Sequence, residues 1–157
     1  MTDDGAATFA DLYVQLRRFA SVVRSFEMDA DDLIQEALVR TLARHTLDEL
    51  DDPAAFLRTV IVRLASNDRR SAGRRRLALN RMRSTADDVP DVYPSDLDDL
   101  WQLEPADRAV VYLAVVEQRS HREIAEVLGC SEEASRKRVS RALTRLKSDR
   151  VVDADNG

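Results

Sequence analysis

Apolar residues recur at three- and four-residue steps through most of this chain, a spacing that predicts helices and leaves little room for strands. Phe9, Leu12, Tyr13, Leu16, Phe19, Ala20 and Val23 make the first stripe and predict a helix from about Thr8 to Phe26. After "MDADD", whose aspartates suit a cap and a positive helix end, Leu33, Ile34, Ala37, Leu38, Thr41 and Leu42 predict a second buried stripe. Its outer face then holds Asp32, Gln35, Glu36, Val39 and Arg40. "HTLDELDD" reads as a loop, and Asp52 before Pro53 is a helix start with proline in the first turn. Phe56, Leu57, Val60, Ile61 and Leu64 point inward along this third helix, with Gly73 marking its expected end.

The stretch "STADDVPDVYPSDLDDL", residues 84–100, has two prolines and many aspartates and reads as an acidic flexible linker. An apolar helix follows Pro105. Next, Ser120 and Glu123 have capping-box spacing, and Ile124, Ala125 and Leu128 give a short helix its apolar side. Gly129 sits where the chain must turn, and Ser131 can cap a last helix that buries Val139, Ala142, Leu143 and Leu146. The expected fold is all-α. It comprises two small helical domains, residues 7–76 and 101–150, joined by a linker over residues 77–100.

Composition adds to this pattern mainly through charge. The net charge is −5, yet the charges are segregated. Residues 27–52 hold nine acids against two arginines, and residues 58–83 hold nine arginines against the single acid Asp68. Residues 86–107 hold eight acids and no base, and residues 136–150 hold seven bases against Asp149. Two basic blocks, each on an apolar-periodic helix, are the electrostatic footprint of a polyanion partner. The lone cysteine, Cys130, excludes an internal disulfide and reads as a small buried residue. No apolar run approaches the roughly 20 residues of a membrane span, and the acidic N-terminus lacks a signal-peptide core, so a cytoplasmic protein without membrane insertion is expected. No cofactor or metal is expected, because no histidine or second acidic helix accompanies the carboxylates of the second helix.

The two helices around Gly129, the second basic on its free face, match a DNA-binding helix-turn-helix. Early positions of such a helix reach base edges, while caps and later positions reach phosphates. Glu133, Arg136 and Lys137 are therefore base-edge candidates. Ser131, Arg138 and Arg141 are phosphate candidates, with Ser140 on the same face.

Two motifs in fixed order, "DDLIQE" at residues 31–36 and "SHREIAEVLGCS" at residues 120–131, extend this reading. With "DPAAFLRTVIVRLASNDRRSAGRRR" between them, the chain over about residues 8–148 resembles a bacterial RNA polymerase sigma factor. The resemblance is to the small extracytoplasmic-function type, built from regions two and four only. It implies a non-enzymatic protein that binds core RNA polymerase and directs promoter recognition and transcription initiation. It assigns Asp32, Gln35, Glu36 and Arg40 to a coiled coil of the polymerase beta-prime subunit, and the terminal domain to the beta flap and to −35 duplex DNA. It assigns residues 46–52 to a loop pocket for a flipped −10 base, and Arg58, Arg63, Arg69 and Arg70 to the −10 strand. An anti-sigma factor is a further partner that the resemblance implies. The chain departs from the family pattern at Arg58, where an aromatic is common, at Ile61-Val62-Arg63 in place of A-R-N, and at Glu133-Ala134-Ser135 in place of G-T-V. A helix-turn-helix regulator that acts without core polymerase, through residues 101–150 alone, is the alternative.

Overall fold

The computed structural model describes residues 3–25, 27–82 and 98–154. Every regular element among them is helical: α1 Asp3–Val23, α2 Ala30–Leu42, a 3₁₀ turn Leu47–Glu49, α3 Pro53–Met82, α4 Asp98–Trp101, α5 Pro105–Val111, α6 His121–Leu128 and α7 Glu132–Ala154. The all-α fold class is as expected. The starts follow the cap chemistry. Asp29 accepts the Asp31 backbone N–H at 2.8 Å, Asp52 accepts that of Ala55 at 3.0 Å, and Ser131 accepts that of Ala134 at 3.1 Å. The capping box of Ser120 and Glu123 is formed in both directions.

Several elements differ from the sequence reading. Helix α3 passes through Gly73 and reaches Met82. Nothing crowds Gly73, and the Arg, Leu and Ala that follow are strong helix formers that outweigh one glycine's cost of about 1 kcal/mol. The acidic stretch yields one helical turn, α4, whose Leu100 packs against the core; residues 83–97 lie outside the described residues. Helix α1 ends at Val23, and Phe26 also lies outside them. The outer ends of the predicted stripes are open, with Phe9 at 45%, Leu42 at 54% and Phe56 at 36% exposure. Cys130 is exposed, contrary to expectation: the left-handed Gly129 turns the chain outward between α6 and α7, so the thiol sits on a bend and not on an apolar stripe.

Helices α1, α2 and α3 pack as one three-helix layer, and α5, α6 and α7 pack as another. The layers meet through α1 against α5 and through α3 against α5 and α6. One apolar cluster runs through both, from Leu16, Phe19, Leu33, Ile34, Leu57 and Ile61 to Leu103, Val110, Leu113, Ile124 and Val139. Phe19 is fully buried at this junction, with its ring edge-on to Tyr112 at 5.9 Å. No helix among the described residues is long and apolar enough to cross a membrane.

The junction also buries a charge. Arg108 of α5 is 3% exposed and donates four hydrogen bonds of 2.8–2.9 Å. Three of them reach the carbonyls of Val22, Val23 and Arg24, the unpaired end of α1, and one reaches Leu103. A cation at a helix C-terminus also complements its dipole. Trp101 lies under the same guanidinium, 4.8 Å from ring centroid to Cζ, and Arg24 approaches the ring at 5.4 Å. Burial, with Arg69 nearby, pulls the Arg108 guanidinium down to about 10, so it remains charged at neutral pH.

Truncating Arg108 leaves buried carbonyls without donors. Arg108→Ala is expected to lower stability by on the order of 3 kcal/mol, read from urea unfolding followed by circular dichroism. Arg108→Lys is expected to recover only part of this loss, because a single ammonium cannot meet four carbonyls fixed in a fork geometry.

Candidate nucleic-acid interface

The last helix presents its basic face as the spacing predicted. Arg136, Lys137, Ser140 and Arg141 are exposed and border one shallow surface depression. Arg136 pairs with Glu132 at 3.2 Å and Lys137 with Glu133 at 3.0 Å, both one turn apart and exposed. Pairs of this kind contribute a few tenths of a kcal/mol and give way readily to a phosphate. Glu133 stands on the same turn and is exposed. Arg138 faces differently: its Nε lies 3.7 Å from Asp107 of α5, toward the body of the domain. Ser131 is occupied as the helix cap.

The turn that presents this helix is tightly specified. Gly129 has φ 64°, the left-handed region that disfavours a side chain. The Glu123 carboxylate accepts the Ser120 backbone N–H, which holds its pKa below the usual carboxylate range. The family departure at Ser135 has a structural result: the residue is fully buried, and its hydroxyl has no hydrogen-bond partner. The position therefore keeps the burial of the apolar residue that the family pattern places there, but not its chemistry.

The first basic block is only partly open. Arg70 is exposed. Arg63 is exposed on a cleft of about 490 Å³ between the end of α2 and the start of α3, with Arg40, Arg44, His45, Phe56 and Asn67 in its walls. His45 meets the Phe56 ring edge-on at 5.5 Å. The cleft thus combines cations with an aromatic face, the pairing that holds a nucleotide by phosphate and by base. Residues 46–52 lie beside it as a short turn closed by Thr46 and Glu49, and none of them lines it. Arg44 and His45 were not among the predicted site residues, whose candidate loop begins at 46. A basic residue and an imidazole directly after the α2 stripe and next to the loop were the available signal.

The other two candidate strand contacts of the block, Arg69 and Arg58, are engaged. Arg69 donates to the Leu103 carbonyl at 2.9 Å and pairs with Glu104 at 3.3 Å. Arg58 is 4% exposed, 2.7 Å from Glu117, with its guanidinium 5.5 Å from the Phe19 ring centroid. Arg119 flanks the same carboxylate at 3.3 Å and Glu123 at 3.2 Å, and these acids raise its pKa above the ordinary value. Asp68, the one acid of the block, accepts a hydrogen bond from Ser25.

The second helix offers a separate surface. Asp32, Gln35 and Arg40 are exposed, Glu36 is half-exposed and pairs with Arg40 at 2.7 Å, and Val39 between them is 65% exposed. An apolar residue ringed by charges suits a protein partner more than a nucleic acid. Among the described residues no cluster of three acids, histidines or cysteines could hold a metal ion.

Two family models match the chain: "Sigma-70 region 2" over residues 8–87 and "Sigma-70, region 4" over residues 100–146. The RNA polymerase sigma-E factor of Streptomyces coelicolor is 32% identical over 130 residues, covering 80% of this chain and 73% of that protein. In fold the chain is similar to the sigma factor RpoE, solved in complex with the anti-sigma factor NepR from Bartonella quintana. The TM-score is 0.71, with 22% identity, over 94% of this chain and 96% of the other.

Replacing Ser135 removes a buried hydroxyl that nothing satisfies. Ser135→Ala is expected to stabilise the protein by about 1 kcal/mol, read as a rise in thermal midpoint without loss of helicity.

Proposed function

Because the chain belongs to the sigma-70 family and directs core RNA polymerase to promoters, we propose that its two basic faces divide one promoter between them. The α7 face reads the −35 element as duplex, with Glu133, Arg136 and Lys137 at base edges and Ser140 and Arg141 on phosphates. Ser131 adds the phosphate contact of a helix cap, and Arg138 adds one once it leaves Asp107. The α2–α3 cleft takes the separated −10 strand. Arg63, Arg69, Arg70 and Arg58 follow its backbone, and Phe56 with His45 stacks a base beside the loop of residues 46–52. Asp32, Gln35, Glu36 and Arg40, around Val39, dock on the beta-prime coiled coil, and the terminal domain meets the beta flap.

The observation that carries this reading is the presence of two basic surfaces on two packed modules, with the charged face of α2 around Val39 beside the first. A regulator working through residues 101–150 alone leaves the α2 face and the cleft without a task. The chain supplies recognition and strand capture, the polymerase performs the chemistry, and both work in the cytoplasm. The solved relative's complex with an anti-sigma factor supports a partner of that class here as well.

Transcription in vitro with core polymerase tests the division of roles. Arg136→Ala and Lys137→Ala are each expected to reduce promoter-specific initiation about tenfold while leaving polymerase binding intact. Glu36→Ala is expected to weaken polymerase binding itself; equal effects of all three on one step would refute the partition. Phe56→Ala is expected to lower initiation about tenfold on duplex promoters, from the loss of one stacked base. The loss should be smaller on a template whose −10 segment is already unpaired.

A further inference from the structure

The arginines of α3 fall into two sets. One set is matched by acids. Arg58 meets Glu117, which stands directly after a π turn at Tyr112–Val116, and Arg69 meets Glu104. Farther along, Arg75 lies 3.6 Å from Glu27 and 3.9 Å from Asp68. Arg63, on the α2–α3 cleft, is in no ion pair among the described residues, and neither is Arg44 in the same cleft.

The cleft therefore carries unbalanced charge. Arg40, one turn before Arg44, adds a third guanidinium to its walls and shares only Glu36. No aspartate or glutamate lines it. Its volume of about 490 Å³ lies within the range of sites that enclose a small molecule. The His45 and Phe56 rings supply a stacking wall, and the Asn67 amide supplies both a donor and an acceptor.

A DNA strand compensates such a cluster only in part. It brings one phosphate charge per nucleotide, and a sugar separates each charge from the next. Phe56 and Arg63 are two turns apart on α3, about 10 Å along the axis, so a base on Phe56 has one phosphate for Arg63. Arg40 and Arg44 then face little further charge. A chain of phosphates on a single nucleoside is denser, because one bridging oxygen separates neighbouring charges. Its oxygens suit the paired N–H donors of several guanidiniums at once.

We propose that the α2–α3 cleft also takes a free nucleoside triphosphate, with its base against Phe56 and His45 and its phosphate chain among Arg40, Arg44 and Arg63, and that this nucleotide competes there with the −10 strand. The proposal rests on the reading of the cleft as a place for a base and its phosphate. Stacking tolerates any base, so the site selects the phosphate chain more than the base. Bound nucleotide lowers the apparent affinity for a strand about tenfold when its concentration is ten times its own Kd. The competition acts on the free protein. A strand held in place by polymerase is presented at high effective concentration and displaces the nucleotide.

Calorimetric titration of the full-length protein with ATP, adenosine and inorganic triphosphate reads the site. Anisotropy of a fluorescein-labelled oligodeoxythymidylate reads the competition. ATP is expected to bind about tenfold more tightly than either adenosine or triphosphate and to displace the oligonucleotide. Arg44→Ala and Phe56→Ala are each expected to weaken ATP binding about tenfold. Arg122→Ala, which removes an exposed arginine of α6 and changes the net charge as Arg44→Ala does, is expected to leave it unchanged. If Phe56→Ala loses helix by circular dichroism, Arg44→Ala alone decides. ATP bound no more tightly than inorganic triphosphate overturns the site, as does equal weakening by Arg44→Ala and Arg122→Ala, since either result is the general attraction of a polyanion. The two readings of the cleft fail separately. Oligonucleotide affinity lowered by Arg44→Ala, with no binding of ATP, removes only the nucleotide. ATP binding that depends on Arg44, with oligonucleotide affinity indifferent to Arg44 and Phe56, removes the cleft as a strand site and overturns the competition with it.

Discussion

A guanidinium cannot be buried without acceptors, and a helix end cannot be buried without donors. Arg108 and the C-terminus of α1 satisfy each other, and the mutual arrangement of the two modules depends on this exchange. With the guanidinium among the carbonyls of Val22, Val23 and Arg24, α5 is pinned against the end of α1. Phe19 and Tyr112 then close edge to face, and α6 is carried across α3. Apolar contact alone would allow sliding between two layers of leucine and valine. A fork of directed hydrogen bonds does not.

The charge pattern follows from the same packing. An acidic total of −5 coexists with two strongly basic faces because the acids are placed elsewhere. Some face solvent on α2, and some sit opposite arginines, as Glu117 does at Arg58 and Glu104 at Arg69. Negative surface around each basic face lowers adhesion to arbitrary DNA, while the faces keep their local potential. Stability comes from the shared core and the Arg108 fork. The exposed pairs along α7 and α2 contribute little and remain available for exchange with a partner.

Much of this was legible in the sequence because it is local. Caps at Asp29, Asp52, Ser120 and Ser131, the left-handed Gly129, and the buried stripes of α2, α3 and α7 each follow from residues within one or two turns. What was not legible is long-range or competitive. Arg108 sits inside an apolar run as an unremarked charge, and nothing near it names the carbonyls 84–86 residues earlier. Arg58 counts as one more cation in a basic block, and only the packing reveals Glu117, 59 residues later, as its partner. Gly73 was read as a stop because a single glycine is a conspicuous signal, whereas the summed propensity of its neighbours is diffuse. Cys130 was read as buried because cysteine usually is, although its place beside a helix-ending glycine puts it on a bend. The candidate loop at 46–52 borders the cleft without lining it, Phe56 was expected to point inward and instead lines the cleft, and His45 gains meaning only from the ring beside it.

The π turn at Tyr112–Val116 gives α5 one more residue than an α-helix of the same rise would hold. In phase terms that residue is a rotation of about 100° for everything after it. Deleting one residue there would restore a regular helix and carry Glu117 about a quarter turn or more around the axis, away from Arg58, with every side chain of the motif still present. Relatives with and without that single residue would have the same fold and the same basic faces. They would differ in where the turn before α6 lies on α3, through a change in length too small to alter any domain boundary.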